Sequence, residues 1–325
     1  MKKLMIFALG VAAVLASCVK NEVEDISKPE EIAFKEFAIS EGTRANTVAF
    51  KHDHFWAYAK FSNNGVGTDY TDFWGAAAKR IEKKDGSNKW AAADGTYYWP
   101  KAGKLSFWGF YHGGGDATGK VSFDAANGVK FTDVTDVETE HILVADPEKS
   151  RLLDKNDVPM IFRHAGAQVI FRFANKSDGQ GYKLTIKDVT ITEAVKEGDF
   201  IYSAWAFDVA DKKGNYTHNN NKTGYLVNNT TIADNSPFTF KVIPQTLVQS
   251  GIEKQIIINY HVDVDNSTVQ YSYDGQYTAA ATAWNINTIH YYNITFNFTS
   301  AEEEILFAPE VEQWLTEGHN IDINN

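Results

Sequence analysis

Strict alternation of apolar and polar side chains is the feature that most limits what this chain can fold into. From Ile256 to Val264 every second residue is apolar, residues 265–267 (Asp-Asn-Ser) are typical of a turn, and the alternation resumes from Val269 to Tyr273. A period of two places successive side chains on opposite faces of a strand. The pattern therefore predicts a β-hairpin with one buried face and one face in water.

The same period recurs along the chain, at residues 169–173, 182–186 and 292–298. Residues 105–111 are apolar on both faces and are predicted to form a central strand, whereas residues 73–84 are interpreted as a strand leading to a turn at 85–86. Many short strands joined by Gly, Asn and Asp turns predict an all-β protein made of sandwiches. A polar, loop-like stretch at 153–159 predicts two tandem domains, residues 31–156 and 157–325.

The composition is that of a folded, acidic protein. The chain has 325 residues, which is enough for one large domain or two ordinary ones, and 43% of them are hydrophobic and 14% aromatic. Its formal net charge of −11 disfavours nucleic acid and anionic lipid headgroups as partners.

The N-terminus predicts a secretory signal and a lipid anchor. Lys2 and Lys3 precede an apolar run that ends in Leu15-Ala16-Ser17-Cys18, which resembles the bacterial lipobox, whose cysteine is acylated after cleavage. Residues 1–17 are thus interpreted as a lipoprotein signal peptide and Cys18 as the acylated residue that attaches the protein to the outer membrane, followed by an acidic tether over 18–30. A plain signal peptide or a single span is the alternative, although the apolar run is shorter than the ~20 residues that cross a bilayer.

Cys18 is the single cysteine of the chain. If it carries lipid, no thiol remains for a disulfide, a thiolate metal site or a nucleophile. Two or three acyl chains hold a protein on a membrane stably, whereas one short chain does so only marginally.

A series of motifs extends over nearly the whole mature chain, with aromatic segments first and shorter apolar motifs after them. The motifs are Trp90, Tyr97-Tyr98-Trp99-Pro100, residues 105–111, 142–145, 162–169, 189–198, 243–247, 284–292 and 305–307, and Trp314. In this order they resemble the fimbrillin or Mfa-like lipoproteins, a family of type V pilus subunits of Gram-negative bacteria.

The resemblance implies two transthyretin-like β-sandwich domains and a subunit of a cell-surface fimbria. In such pili a strand from one subunit completes the fold of the next, so the implied partners are other fimbrial subunits, in a homo- or hetero-polymer. The resemblance also implies an adhesive role, without naming the host or bacterial receptor.

The segment after the tether is the candidate removable strand. Ile32 and Phe34 share one face, and Phe37 and Ile39 continue it after a one-residue shift such as a bulge. Removing four buried apolar side chains forfeits roughly 6–12 kcal/mol as an upper estimate, which is about the whole stability of a domain. A replacement strand, added through main-chain bonds and alternate side-chain pockets, would be strongly favoured.

A small-residue loop at 42–47, which contains Arg44 and Ala45, follows this strand. Such loops are easily cut by proteases. In related fimbrillins an Arg-specific protease cleaves at a comparable Thr-Arg-Ala, so the resemblance implies cleavage between Arg44 and Ala45. The alternative is that Arg44 is an ordinary surface arginine and the first strand stays in place.

Other candidate chemistry is weaker. His52-Asp53-His54 lacks a nearby third metal ligand, and a calcium loop beginning at Asp263 fails because Thr268 replaces the turn glycine. His164 is expected to be a satisfied core residue. No two carboxylates in the sequence stand out as an acid/base pair for glycoside hydrolysis. The sequence predicts no metal, no cofactor, no catalytic residue and no enzymatic activity.

A second function, from a different class, stays open at this point. The aromatic side chains of Tyr97, Tyr98 and Trp99 could stack on sugar rings if they are exposed. The protein would then be a monomeric surface glycan-binding lipoprotein. The exposure of these aromatic side chains discriminates the two hypotheses.

Overall fold

The computed structural model describes residues 29–35, 52–63, 69–86, 89–113, 119–124, 128–135, 137–145, 151–152, 158–207, 213–219, 224–233, 236–246, 248–249, 252–253, 255–266, 269–280, 283–298 and 303–313. Within these ranges no helix has the length and apolar character needed to span a membrane.

Strands dominate these residues. Those of the first half are β1 (Phe34–Lys35), β2 (His54–Ser62), β3 (Thr71–Asp72), β4 (Lys79–Lys83), β5 (Trp90–Ala92), β6 (Lys104–His112), β7 (Val121–Asp124), β8 (Gly128–Val134), β9 (Ile142–Ala145) and β10 (Arg151–Leu152), with one helical turn, α1 (Val137–Glu140), before β9. Those of the second half are β11 (Val158–Pro159), β12 (Phe162–His164), β13 (Ala167–Asn175), β14 (Tyr182–Val195), β15 (Gly198–Ile201), β16 (Ala204–Ala206), β17 (Lys213–Asn219), β18 (Tyr225–Val227), β19 (Thr239–Val242), β20 (Val248–Gln249), β21 (Ile252–Glu253), β22 (Gln255–Asn266), β23 (Val269–Ala280), β24 (Thr288–Phe298) and β25 (Glu303–Gln313). A 3₁₀ turn, Asp178–Gln180, joins β13 to β14. The prediction of an all-β protein is confirmed.

Sheet 1 curves round on itself. Its strand order is β11-β1-β5-β4-β2-β6-β9-β12, with β10 beside β6 and β3 beside β2. The two end strands, β11 and β12, are separated by only Met160 and Ile161, so Pro159 and Phe162 lie within about 11 Å of each other. The inward side chains of all eight ordered strands consequently meet in one buried cluster, core 1: Ile32, Phe34, Phe55, Ala57, Ala59, Trp74, Ile81, Trp90, Leu105, Phe107, Leu143, Ala145, Val158, Met160 and Phe162.

The central strand β6 is buried on both faces, as its sequence predicted. Leu105 and Phe107 point into core 1, whereas Trp108 and Phe110 belong to core 2 on the other face of sheet 1. Sheet 2, with strand order β16-β15-β8-β7, covers core 2.

Sheets 3 and 4 form a β-sandwich in the second half. Sheet 3 has the order β19-β13-β24-β25, and sheet 4 the order β17-β14-β22-β23, with β18 beside β14. Their facing side chains form core 3, to which β13 contributes Phe171, β14 Ile186, β22 Ile258 and β24 Tyr292. The hairpin predicted from the alternation is confirmed as β22 and β23, which pair over their whole lengths.

Pairing crosses the predicted boundary between residues 156 and 157. Strand β11 pairs with β1, β12 pairs with β9, and β15 pairs with β8. The division into tandem domains stays a prediction, and these pairings join its two parts. Two local interpretations need correction: Val158 and Pro159 form a strand where a loop was expected, and between residues 73 and 84 only Lys79–Lys83 is a strand.

A short, hydrogen-bonded link joins sheet 1 to sheet 3. Only Ala165 and Gly166 separate β12 from β13. Asn287 Oδ1 accepts from the His164 amide at 3.0 Å, and the Asn287 amide donates to the Gly166 carbonyl at 2.9 Å. The Trp205 indole donates to the Ala165 carbonyl at 2.7 Å.

Core 2 also receives side chains from the second half, among them Val195, Phe200 and Ile243. Next to this core, the side-chain amide of Gln245 bonds the main chain of Val195 as a neighbouring strand would. Its Oε1 accepts from the Val195 amide at 2.8 Å, and its Nε2 donates to the Val195 carbonyl at 3.1 Å.

Candidate functional site: the first-strand groove

The first strand lies between two neighbours and is bonded to both. Phe34 pairs with Val158 in parallel and with Trp90 in antiparallel orientation. The Ala33 carbonyl accepts a 2.7 Å hydrogen bond from Val158, and Ile32 donates to Tyr97 at 2.8 Å. We call the space that residues 30–35 fill, between Trp90, residues 97–99 and Val158, the first-strand groove.

The side chains of this strand are central to core 1. Phe34 is fully buried and Ile32 is 3% exposed. The Phe34 ring stands edge-on to Phe55, with centroids 5.6 Å apart, and to Phe107, with centroids 5.3 Å apart. Burying these two side chains contributes roughly 3–6 kcal/mol as an upper estimate.

Aromatic residues close the groove beside Phe34. Trp74 is 6% exposed, and its ring centroid lies 6.5 Å from that of Phe34 and 5.5 Å from that of Tyr97. Tyr97 and Trp99 are half-buried and pack against core 1, whereas Tyr98 is 46% exposed. One exposed ring is not the coplanar aromatic platform that stacking on an oligosaccharide uses.

The rim of the groove carries ion pairs instead of reactive groups. Glu31 pairs with Lys84, and Asp94 pairs with Lys79 at 2.5 Å. The hydrogen bond from Lys79 to Asp94 lowers the pKa of the Asp94 carboxyl and raises the pKa of the Lys79 amine. An apolar groove with a charged rim is suited to binding a strand by main-chain bonds and side-chain pockets.

Most of the predicted site residues lie outside the described residues. These are Cys18, Phe37, Ile39, Arg44 and Ala45. Acylation of Cys18, cleavage after Arg44 and removal of the strand therefore stay predictions. Ile32 and Phe34 are described, and the structure places both in core 1.

Sequence reasoning missed the walls of the groove. Trp74 lay in a segment interpreted as a strand, and Val158 in a segment interpreted as a loop. Trp90 stood out only as part of a family motif, and Phe107 as part of that motif and of the predicted central strand. Neither residue spacing nor alternation signals that these four residues surround Phe34, because the contacts depend on the closure of sheet 1.

Histidines gather at one end of sheet 1 without forming a metal site. His52 stacks on Tyr111 with ring centroids 3.7 Å apart, and His54 Nδ1 lies 2.6 Å from Asp53. His141 Nε2 lies 3.2 Å from Nδ1 of the buried His164. In the described part of the chain no three His, Cys, Asp or Glu side chains are arranged to hold a metal ion.

Glu140 is a buried carboxylate that is surrounded by hydrogen-bond donors. Its oxygens contact His112 Nε2 and Lys120 Nζ, each at 3.1 Å, and accept from the Thr135 amide at 3.1 Å. Burial acts to raise the pKa of Glu140, but the hydrogen bonds from His112, Thr135 and Lys120 outweigh it and leave the pKa below its ordinary value. The carboxylate fastens β6, the β7–β8 pair and α1 to one another.

The fold and the groove define an all-β protein whose short first strand fills an apolar groove, and sequence comparison gives the family. The chain belongs to the fimbrillin-like family, whose model matches residues 43–314. The matched segment begins one residue before Arg44 and leaves out the first strand. Comparison with curated proteins gives no match.

One of the similar solved structures shares the fold at low sequence identity. A fimbrial protein from Bacteroides vulgatus matches with a TM-score of 0.61 and 13% identity, over 87% of this chain and 100% of that chain. A cell adhesion protein from Bacteroides ovatus has a TM-score of 0.48 and 13% identity, over 90% and 99% of the two chains. A fimbrial assembly protein from Parabacteroides distasonis has a TM-score of 0.40 and 13% identity, over 87% and 99%. The matching family is thus one of fimbrial proteins and not of enzymes.

Proposed function

We propose that this chain is a structural or adhesive subunit of a cell-surface fimbria, assembled by donor-strand exchange after proteolytic removal of its first strand. In this proposal a protease cuts after Arg44, the segment that carries Ile32 and Phe34 leaves, and a strand of a neighbouring subunit enters the groove. Membership of the fimbrillin-like family supports the fimbrial role.

The environment of Phe34 is the observation that carries the exchange step. A fully buried aromatic side chain sits on a strand of two residues that is bonded on both sides. Without this strand, sheet 1 would expose an apolar groove and leave the Tyr97 carbonyl and the Val158 amide without their partners. Unpaired buried groups and exposed apolar surface both favour a replacement strand.

The proposal includes attachment to the outer membrane. Cys18 would carry the acyl chains and hold the newly exported precursor at the membrane through the acidic tether. Cleavage after Arg44 would then release the subunit from its anchor as it joins the polymer.

The N-terminus of the mature surface protein tests the proposal. Fimbriae sheared from cells should give a ladder of oligomers in a gel of unboiled sample, and mass spectrometry of the polymer should find chains that begin at Ala45. Surface protein that still begins at Cys18 and runs as a monomer would contradict the assembly step.

A further inference from the structure

A buried hydrogen-bond donor next to the groove is left unsatisfied by the first strand. Nε1 of Trp74 is buried and has no acceptor among the described residues. Its ring lies beside the aromatic rings of Phe34, Phe73, Tyr97 and Phe107. The indole nitrogen is a donor only, so another rotation of the ring cannot remove the need for an acceptor.

An unsatisfied buried donor is costly and unusual. The large majority of buried polar groups in native structures have a partner, and a buried donor without one destabilises the folded state. Phe34, the neighbouring side chain of the first strand, offers no acceptor. The group left without a partner thus lies beside the strand that the proposed assembly step replaces.

We propose that the incoming strand places a tyrosine at the register position of Phe34, and that its hydroxyl accepts the hydrogen bond of Trp74 Nε1. This inference rests on the proposed function and names the chemistry of the partner strand. The edge-on rings of Phe55 and Phe107 select an aromatic side chain. A centroid separation of 6.5 Å between Phe34 and Trp74 is short enough for the hydroxyl of a tyrosine in this pocket to reach the indole.

The consequence is a preference for the incoming strand over the original one. Both strands make the same main-chain bonds with residues 97–99 and 158. Only the strand with tyrosine also provides an acceptor for the hydrogen bond of Trp74 Nε1. Exchange would therefore proceed towards the assembled form, and Trp74 would be a specificity-determining residue of the groove.

A double-mutant cycle in the full-length precursor tests the pocket. Phe34→Tyr should be tolerated, and its coupling to Trp74→Phe should change the unfolding equilibrium constant by about fivefold, the size of one net hydrogen bond. Phe55→Tyr, which buries a hydroxyl elsewhere in core 1, should destabilise without such coupling. Independent effects of Phe34→Tyr and Trp74→Phe would overturn the inference.

A second measurement keeps the test decisive if Phe34→Tyr fails to fold. Trp56 lies on the other face of sheet 1, next to core 2, and its buried Nε1 also lacks an acceptor among the described residues. Trp74→Phe should lower the resistance of assembled polymers to detergent, whereas Trp56→Phe should not. Equal effects of the two variants would refute the role of Trp74. Failure of all variants, and of the unmodified protein, to form polymers would instead contradict the proposed function.

Discussion

The Val158 amide donates a 2.7 Å hydrogen bond to the carbonyl of Ala33. This bond fixes the first strand to the end of sheet 1, in parallel with β11. Pro159, the next residue of β11, lacks an amide hydrogen, and the end of the ordered strand path is a place where a sheet tolerates proline. The first strand is therefore held on its outer side by a very short strand.

Replacing Phe34 should change the stability of the precursor but not that of the polymer. Phe34→Ala removes a fully buried ring and should lower the free energy of unfolding of the uncut precursor by about 3–5 kcal/mol, from lost transfer energy and the cavity left behind. Assembled subunits, which in the proposal have lost this residue, should keep their stability. Denaturant unfolding of both forms measures the difference.

Phe55→Ala is the matched control for that prediction. Phe55 is also fully buried in core 1, but it lies on β2, which stays in every form of the subunit. It should destabilise precursor and polymer alike. Equal losses from Phe34→Ala in both forms would contradict strand replacement.

Limited trypsin digestion should cut the precursor first after Arg44. Arg44→Gln should abolish this first cut and should also prevent oligomer ladders on cells. Arg80→Gln serves as the control, because Arg80 lies on β4 within sheet 1 and its strand is protected by pairing. Ladders that persist in Arg44→Gln cells would show that assembly does not depend on this cleavage.

Cys18→Ala should remove the membrane anchor. Metabolic labelling with palmitate should be lost, and the precursor should leave the outer-membrane fraction, because the anchoring proposed here depends on acylation of this residue. Cys18→Ala protein that stays in the membrane fraction and still takes up label would exclude lipidation at this cysteine.

His290 should make the stability depend on pH. The side chain is 1% exposed, and burial lowers its pKa from 6.5 to about 4. Because the unfolded chain binds a proton that the folded chain does not, His290 stabilises fully above pH 6.5 and loses this contribution as the pH falls towards 4. The total is roughly 3 kcal/mol at about 1.4 kcal/mol per pH unit.

The corresponding experiment compares unfolding midpoints of the unmodified protein and His290→Gln between pH 4 and 7. The variant should lose less stability over this window than the unmodified protein. Parallel curves for the unmodified protein and His290→Gln would contradict the assignment.

Gln245→Ala should weaken the attachment of the segment after β19 to the end of β14. It leaves the Val195 amide without its side-chain acceptor, whereas the Val195 carbonyl keeps the Tyr216 hydroxyl as a donor, so the free energy of unfolding should fall by about 1–3 kcal/mol. Gln180→Ala, at an exposed position, should change it by less than about 0.5 kcal/mol. Thermal unfolding monitored by circular dichroism distinguishes these outcomes.

Local patterns of the sequence predicted the local parts of the fold. The β22–β23 hairpin follows from alternation on both sides of a turn, and the central position of β6 follows from apolar residues on both of its faces. These features depend on neighbours in sequence or on burial of a single strand.

Long-range pairing escaped prediction because local patterns do not specify partners. Phe200 pairs with Phe131, and Phe34 with both Trp90 and Val158, across long stretches of chain. Residues on both sides of the expected domain boundary contribute to the same sheets. The groove walls, including Trp74, could not be assigned for the same reason.

The two-residue connection at Ala165 and Gly166 has a mechanical consequence. It is clamped by Asn287 and Trp205, and core 2 fills the space beside it with side chains from both halves. Parts of a chain that share an apolar core do not move freely relative to each other. A pulling force on sheet 1 is therefore transmitted to sheet 3 through a short connection that cannot extend much. A filament of such subunits would bend at the contacts between subunits before it bends within them.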